Sequence, residues 1–396
     1  MKIRNVPGGV PLYLYIENLE PGALEQAENC ARLPFVFHHI AIMPDAHEGY
    51  AMPIGGVMAC RDHVVPYAVG VDIGCGMLAV RTSLKAHEVQ GDLENVVNEG
   101  FRRIPVGFDW HKKPQSADLF SIWDDGKNKK RRHGAETLPV VTEHLDEVRK
   151  QLGTLGGGNH FIEIQVDQED HVWMMLHSGS RNIGLKVANH YHKRAQEYVK
   201  SKNIRVGKDY SYLPVSHEDG RLYLDEMDFC VRFAFENRDR MRAVMLDIIR
   251  EVLQKDFQVL EDVRTAHNYA SWEEHYGERV LVHRKGAVRA RKGELVTIPG
   301  SMGTASYIAR GKGAPESFES CSHGAGRSMG RRQALKAISK EEFEHQMGHV
   351  VLGCPKIKDA IQEAPAAYKD IDEVMRQQAD LVEIVHRLTP LAVLKG

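Results

Sequence analysis

The sequence predicts an α+β fold: a single large domain over residues 1–396, with mixed β-sheets and surrounding helices. Three observations carry this reading. Short apolar runs punctuated by Gly and Pro fill the first hundred residues, as in 51–58 and 64–79, and read as strands joined by tight loops. Helical periodicity takes over at 184–201 and 228–254; in the second stretch Phe229, Phe233, Val244, Ile248 and Val252 share a face, which makes these scaffold helices. Between Arg279 and Gly326 the Gly-rich, β-branched character returns, and the tail from Glu342 reads as helix mixed with loops. No fixed-period repeat and no low-complexity linker divides these stretches.

Composition bounds the function classes. With 42% hydrophobic and 27% charged residues the chain has the balance of a soluble globular protein. No apolar run approaches the ~18 residues that span a bilayer, and the first residues lack the apolar segment of a secretory signal. The expectation is a cytoplasmic protein with no membrane contact. Six scattered cysteines (Cys30, Cys60, Cys75, Cys230, Cys321, Cys354) fit reduced thiols better than a disulfide framework. A net charge of −2 gives no global pull toward nucleic acid, so any such contact must come from local patches. One basic run, Lys127, Lys129, Lys130, Arg131 and Arg132 beside Asp124, Asp125 and Gly126, reads as a solvated loop before it reads as a nucleic-acid contact.

The chemistry-bearing residues sit beside glycine-rich turns: 44–50 (PDAHEGY), 71–76 (VDIGCG), 153–163 (GTLGGGNHFIE), 177–181 (HSGSR) and 321–327 (CSHGAGR). Glycine permits positive φ and close backbone approach, which a loop needs in order to wrap an ion or a phosphate. Asp72 and Cys75, three residues apart, can address one cation or two adjacent ones; thiolate and imidazole suit zinc, iron or manganese, and the carboxylate admits harder ions. A lone Cys is more often a small buried hydrophobe, so the metal reading requires His160, His177 and His267 to converge on it. The first two follow Gly-rich stretches or a strand end, and His267-Asn268 closes a helix. His323, between Ser322 and a Gly-Ala-Gly run followed by Arg327, is placed to meet a phosphate. Attack of an imidazole nitrogen on phosphorus and a capping or metal-binding role stand level there.

Two absences inform. There is no G-x-x-x-x-G-K-[S/T] phosphate loop, and neither Asp125-Gly126 nor Asp219-Gly220 has lysine two positions earlier, so the Lys-x-Asp-Gly nucleophile of ordinary ATP-dependent ligases is missing. A covalent nucleotide would fall to histidine.

Taken in order, the blocks above, with His267-Asn268, 299–304 (PGSMGT), 367–370 (AYKD) and the terminal Lys395-Gly396, resemble the RtcB family of RNA ligases over essentially the whole chain. The resemblance implies an enzyme that uses GTP and two manganese ions to join an RNA 3′-phosphate, or a 2′,3′-cyclic phosphate after its hydrolysis, to a 5′-hydroxyl. It implies that Cys75 bridges the metals, His160 and His177 hold one, and Asp72 with His267 the other. His323 matches the residue that takes GMP. Asn159, Glu163, Ser301, Ser306, Lys395 and the backbone of 323–326 (His323, Gly324, Ala325, Gly326) match nucleotide-holding positions. Around them lie His160, Phe161, Ile162, His267, Asn268, Pro299, Gly300 and Met302. Glu163 can accept from the guanine N1–H and exocyclic amine, a donor pair adenine lacks. Arg181 and Arg327 are phosphate clamps, for RNA or nucleotide.

The resemblance further implies a monomer, and some relatives require an activating partner, archease. One departure stands out: the metal turn reads Asp-Ile-Gly-Cys where many members have Asp-Ile-Asn-Cys. Two other readings remain. An enzyme could stop after capping 3′-phosphate ends with GMP or opening cyclic phosphates. A non-catalytic RNA-binding or metal-storage protein is the other, and the intact loop at His323 counts against it, since binding alone needs no nucleophile.

Overall fold

The computed structural model describes residues 1–121 and 138–396, so the basic run 127–132 lies outside the described residues. Two sheets carry the architecture, and the α+β expectation holds. The six-stranded sheet is ordered Lys2–Arg4, Leu12–Leu14, Val36–His47, Ile54–Cys60, Glu278–Lys285, Asn268–His275. The eight-stranded sheet runs Val259–Ala266, Gly76–Lys85, His171–Ser178, Phe161–Val166, Val382–Lys395, Ser306–Gly311, Leu295–Ile298, with Val351–Gly353 also on Val382–Lys395. Pairing is mixed: Leu12–Leu14 runs parallel to Val36–His47 and Val351–Gly353 parallel to Val382–Lys395, inside otherwise antiparallel ladders.

Both scaffold helices form, Asn182–Ser201 and the 36-residue Glu218–Leu253. The second starts ten residues before the expected 228. His217 caps it, accepting from the Asp219 N–H at 3.2 Å, and Glu218 and Asp219 suit the positive end of the helix. It ends where Gln254 turns left-handed at φ 48°. This helix spans two apolar layers. Phe229 and Phe233 pack with Val187 and Tyr191 of Asn182–Ser201, while Met241, Met245 and Ile248 cover Ile162 and Ile164 of the eight-stranded sheet.

Two expectations are corrected. His267-Asn268 does not close a helix: His267 lies between Val259–Ala266 and Asn268–His275, where the chain leaves one sheet for the other. The helix had already stopped at Gln254, and the residues after it join a ladder with Gly76–Lys85. The tail is also not all helix and loop. Val382–Lys395 is a 14-residue strand inside the eight-stranded sheet. Pro390 within it lacks an N–H and argues against a central strand; the ladder accommodates it with a register shift between Pro390 and Ala392.

Candidate active site

The ends of these strands bring the predicted residues to one cavity of about 630 Å³. Asp72, Cys75, Asn159, Phe161, Glu163, His177, His267, Asn268, His323, Arg327 and Lys395 line it, as do the stretches Pro299-Gly300-Ser301-Met302 and Gly324-Ala325-Gly326. Each element contributes at its terminus: Cys75 just before Gly76–Lys85, His160 just before Phe161–Val166, and His177 near the end of His171–Ser178.

The turn at Asp72–Cys75 closes through Cys75 N–H donating to the Asp72 carbonyl at 3.1 Å. Gly74 within it has φ +75°, a region Gly and Asn enter most readily. A Cβ at Gly74 would meet Val231 Cα at 2.8 Å, so here the helix leaves room for glycine alone. Buried Arg238 steadies the turn, donating to the carbonyls of Gly74 at 3.1 Å and Ser178 at 2.9 Å.

Around Cys75 the donor atoms converge. Its Sγ lies 3.2 Å from His177 Nε2 and 3.5 Å from His160 Nε2. His160 Nε2 is 3.1 Å from Asp72 Oδ2, and the Nε2 atoms of His177 and His267 are 3.4 Å apart. The Nδ1–H of His160 donates to the Leu155 carbonyl and that of His177 to the Asn159 carbonyl, both at 3.0 Å. Those bonds place the protons on Nδ1 and turn bare Nε2 lone pairs toward sulfur and carboxylate. His267 Nδ1 is buried with no hydrogen-bond partner among the described residues. Burial pushes all three imidazoles below their usual range and raises the Cys75 thiol well above its own, with Asp72 adding to the latter.

Lone pairs facing lone pairs in a dry site are costly unless a cation lies between them. The set fits divalent metal in two groups that share the thiol: Asp72, Cys75 and His160, and Cys75, His177 and His267. This division differs from the one the resemblance implied, which put His160 with His177 and Asp72 with His267.

His323 is built differently. It follows the short strand Ser320–Ser322, and its backbone N–H and its Nδ1 both meet Asp45 Oδ2, at 2.9 and 2.6 Å; Gly324 N–H adds a third bond at 3.3 Å. Asp45 is fully buried at the end of Val36–His47. Burial would raise its carboxyl, yet His323, with Lys369 behind it, holds it below the usual range. The carboxylate therefore keeps the proton on Nδ1 and leaves Nε2 with a free lone pair. Gly326, at φ +73°, lets the loop run against Asp45: a side chain there would collide with the Asp45 carbonyl. Lys369 ties the pieces together, its N–H donating to Gly326 O at 2.9 Å and its ammonium to the carbonyls of Pro44 and Ala46.

At the other end of the cavity Glu163 and Lys395 are both buried. Gln165 Nε2 donates to Glu163 Oε2 at 2.6 Å and to Ser306 Oγ at 3.1 Å; Lys395 Nζ donates to the His160 carbonyl at 3.2 Å. Burial raises the Glu163 carboxyl to about 8 and lowers Lys395.

Four predicted residues are absent from the cavity wall. Ile162 alternates away from Phe161 and Glu163 into the core, leaving its backbone alone near the site. Ser306 lies beneath the wall, its Oγ accepting from Gly300 N–H at 3.2 Å. His160 meets Cys75 and Asp72 from beneath the wall, and Arg181 lies behind it, 3.2 Å from its Nδ1. Arg327 does line the cavity, but its guanidinium is already engaged by Glu363 at 2.8 Å and by the Gln362 carbonyl at 2.7 Å. Asn268 braces the metal turn, donating to the Asp72 carbonyl at 3.0 Å and accepting from Gly286 N–H at 2.8 Å.

Sequence reasoning missed Asp45, Lys369, Arg238 and Glu363. The first two fall in blocks already marked as distinctive, 44–50 and 367–370, without a role attached. Glu363 had no motif to announce it, though it gathers Arg327, Arg331 and Tyr368 on one buried carboxylate.

Comparison with known proteins gives the family. A family model described as tRNA-splicing ligase RtcB matches residues 26–396. The RNA-splicing ligase RtcB of Escherichia coli (strain K12) is 39% identical, with 96% of this chain and 95% of the relative covered. The tRNA-splicing ligases RtcB of Nanoarchaeum equitans and Thermococcus kodakarensis are 35% and 31% identical, over 98% and 94% of this chain and 95% and 91% of the relatives.

Proposed function

Since this chain belongs to the RtcB family and is an RNA ligase, we propose that it joins RNA 3′-phosphate or 2′,3′-cyclic phosphate ends to 5′-hydroxyl ends through a GMP carried on His323. The observation that supports this most is the Asp45–His323 pair at 2.6 Å, which presents Nε2 as a nucleophile.

In the first step Nε2 attacks the α-phosphorus of GTP; an N–P bond forms and the bond to pyrophosphate breaks. The imidazole becomes cationic as it takes the phosphoryl group, and the Asp45 carboxylate neutralises it in place. Next an oxygen of the RNA 3′-phosphate attacks the same phosphorus, the N–P bond breaks and the lone pair returns to His323. The 5′-hydroxyl then attacks the RNA 3′-phosphorus, loses its proton, and GMP leaves. Two manganese ions, held by Asp72, Cys75 and His160 and by Cys75, His177 and His267, would supply charge neutralisation at the reacting oxygens when bound. On binding guanine Glu163 gives up its proton and accepts from N1–H and the amine, with Lys395 nearby to offset the charge. Arg331, Arg327 and Lys395 face two buried carboxylates, Glu363 and Glu163, leaving one positive charge in excess for phosphate. The six cysteines are free, as a cytoplasmic protein keeps them.

The test is ligation of a 3′-phosphate RNA to a 5′-hydroxyl RNA with GTP and manganese. A joined product from the wild type and none from His323→Ala is expected. Product from His323→Ala, or a wild type that stops at a guanylylated 3′ end, would refute the proposal.

A further inference from the structure

Beside the catalytic cavity the chain holds two aromatic rings in water. Phe108 is fully exposed and Trp110 is 42% exposed, in the loop 105–113 (PVGFDWHKK). This loop is anchored. Gly107 N–H donates to the Gly156 carbonyl at 2.8 Å, Leu155 N–H to Pro105 O at 2.9 Å, and His111 N–H to Lys150 O at 3.0 Å; Asp109 N–H closes the turn on Val106 O at 3.0 Å. These bonds fix it against Gly156 and Gly157, just ahead of Asn159 in the cavity wall. Gly107 and Gly396 both lie against Gly157, so the loop also adjoins the chain end that carries Lys395.

Single exposed apolar residues are ordinary. Here two rings two residues apart stand on a fixed loop beside the turn that leads into Asn159 of the cavity wall, and after His111 come Lys112 and Lys113, both exposed. Among the described residues no carboxylate pairs with either lysine and no ring lies against either aromatic. A ring held in water forfeits the free energy that burying it would yield. Exposed rings with adjacent cations are what a single-stranded nucleic acid needs: every base has a face to stack, and every linkage a phosphate to neutralise.

We propose that Phe108 and Trp110 form a stacking platform for nucleobases of the single-stranded RNA end entering the cavity, with Lys112 and Lys113 taking its phosphates. The proposal rests on the reading of this cavity as the RNA-joining centre. A protein partner's apolar patch is the competing occupant.

The test is direct binding of a dye-labelled, single-stranded 3′-phosphate RNA, followed by anisotropy, for the wild type and Phe108→Ala/Trp110→Ala. The variant's Kd should rise about tenfold or more, while its unfolding midpoint stays close to that of the wild type, because neither ring is in the core. An RNA of equal length with abasic residues near the 3′ end should bind both proteins alike, and Phe108→Trp should retain wild-type affinity. Equal Kd values for the intact RNA, or the same loss with abasic RNA, would overturn the platform and leave the loop to a protein partner. The joining centre stands or falls separately, on whether the wild type ligates.

Discussion

Two of the buried clusters of carboxylate and imidazole among the described residues differ in what lies among them. Glu273, His275 and Glu319 place ligand atoms within 4.8 Å of one another, as do the groups around Cys75. In the first cluster Arg284 forks onto Glu273, with Nη2 3.0 Å from Oε2, and His275 adds a bond at 3.1 Å. Burial would raise Glu273, but Arg284 holds it well below the usual range. That cluster carries its own cation and is closed. Among the described residues no guanidinium bonds the metal-facing atoms around Cys75: Arg238 donates to carbonyls and Arg181 lies behind His160, on its Nδ1 side, so each acts on Cys75 or Asp72 only at longer range. Lone pairs there face one another across the space a metal would fill. Residue types alone do not make a metal site; the missing internal counter-charge does.

The largest effect should come from removing the shared ligand. Cys75→Ala is expected to lose bound manganese and to ligate at background level, whereas Glu319→Ala keeps both; metal analysis and ligation on the same samples decide it. A Cys75→Ala protein with full metal would erase the distinction between the clusters. Next comes the nucleophile's support. Asp45→Asn should slow self-guanylylation by about 100-fold or more with metal content unchanged, read as label acquired over time. Normal rates would mean that Asp45 does not set the His323 tautomer.

The closed cluster predicts a stability effect instead. Arg284→Met leaves Glu273 buried and unpaired and should cost about 3–5 kcal/mol in denaturant unfolding, with metal per folded molecule unchanged. Adding Glu273→Leu should recover most of the loss. Last is the pH dependence at Glu163, whose carboxyl is raised by burial to about 8. A carboxyl raised on folding stabilises fully below its unfolded pKa of 4.5, and that contribution is lost as pH rises toward 8. In ligand-free protein, Glu163→Gln should therefore gain stability over the wild type steadily between pH 5 and 8. Parallel unfolding curves across that range would place Glu163 in a wetter setting.

How much of this was legible follows the same divide. The residues proposed for metal and nucleotide could be singled out because glycine-rich turns mark where backbone can approach a ligand. Their convergence could not, since Asp72, His160 and His267 meet only through strands of two sheets far apart in sequence. His267 itself was misplaced on a helix end, because the residues after Leu253 alternate weakly and most of their side chains stay in solvent. The strand Val382–Lys395 was hidden by Pro390 and by partners more than a hundred residues away in Phe161–Val166. Asp45 carried a motif but no role, because its partner is the loop at His323, 278 residues on. Arg284 looked like one more strand charge; only the fold shows it closing a cluster.

The central claim, a nucleotide carried on His323, is tested most directly by incubating the protein with manganese and α-phosphate-labelled GTP. The account predicts a covalent label that γ-labelled GTP does not give. Acid should release it, because protonation of the bridging nitrogen makes imidazole a good leaving group, and alkali should leave it intact. His323→Ala should retain metal and acquire no label. A label of unchanged strength on His323→Ala would contradict the account and move the nucleophile elsewhere.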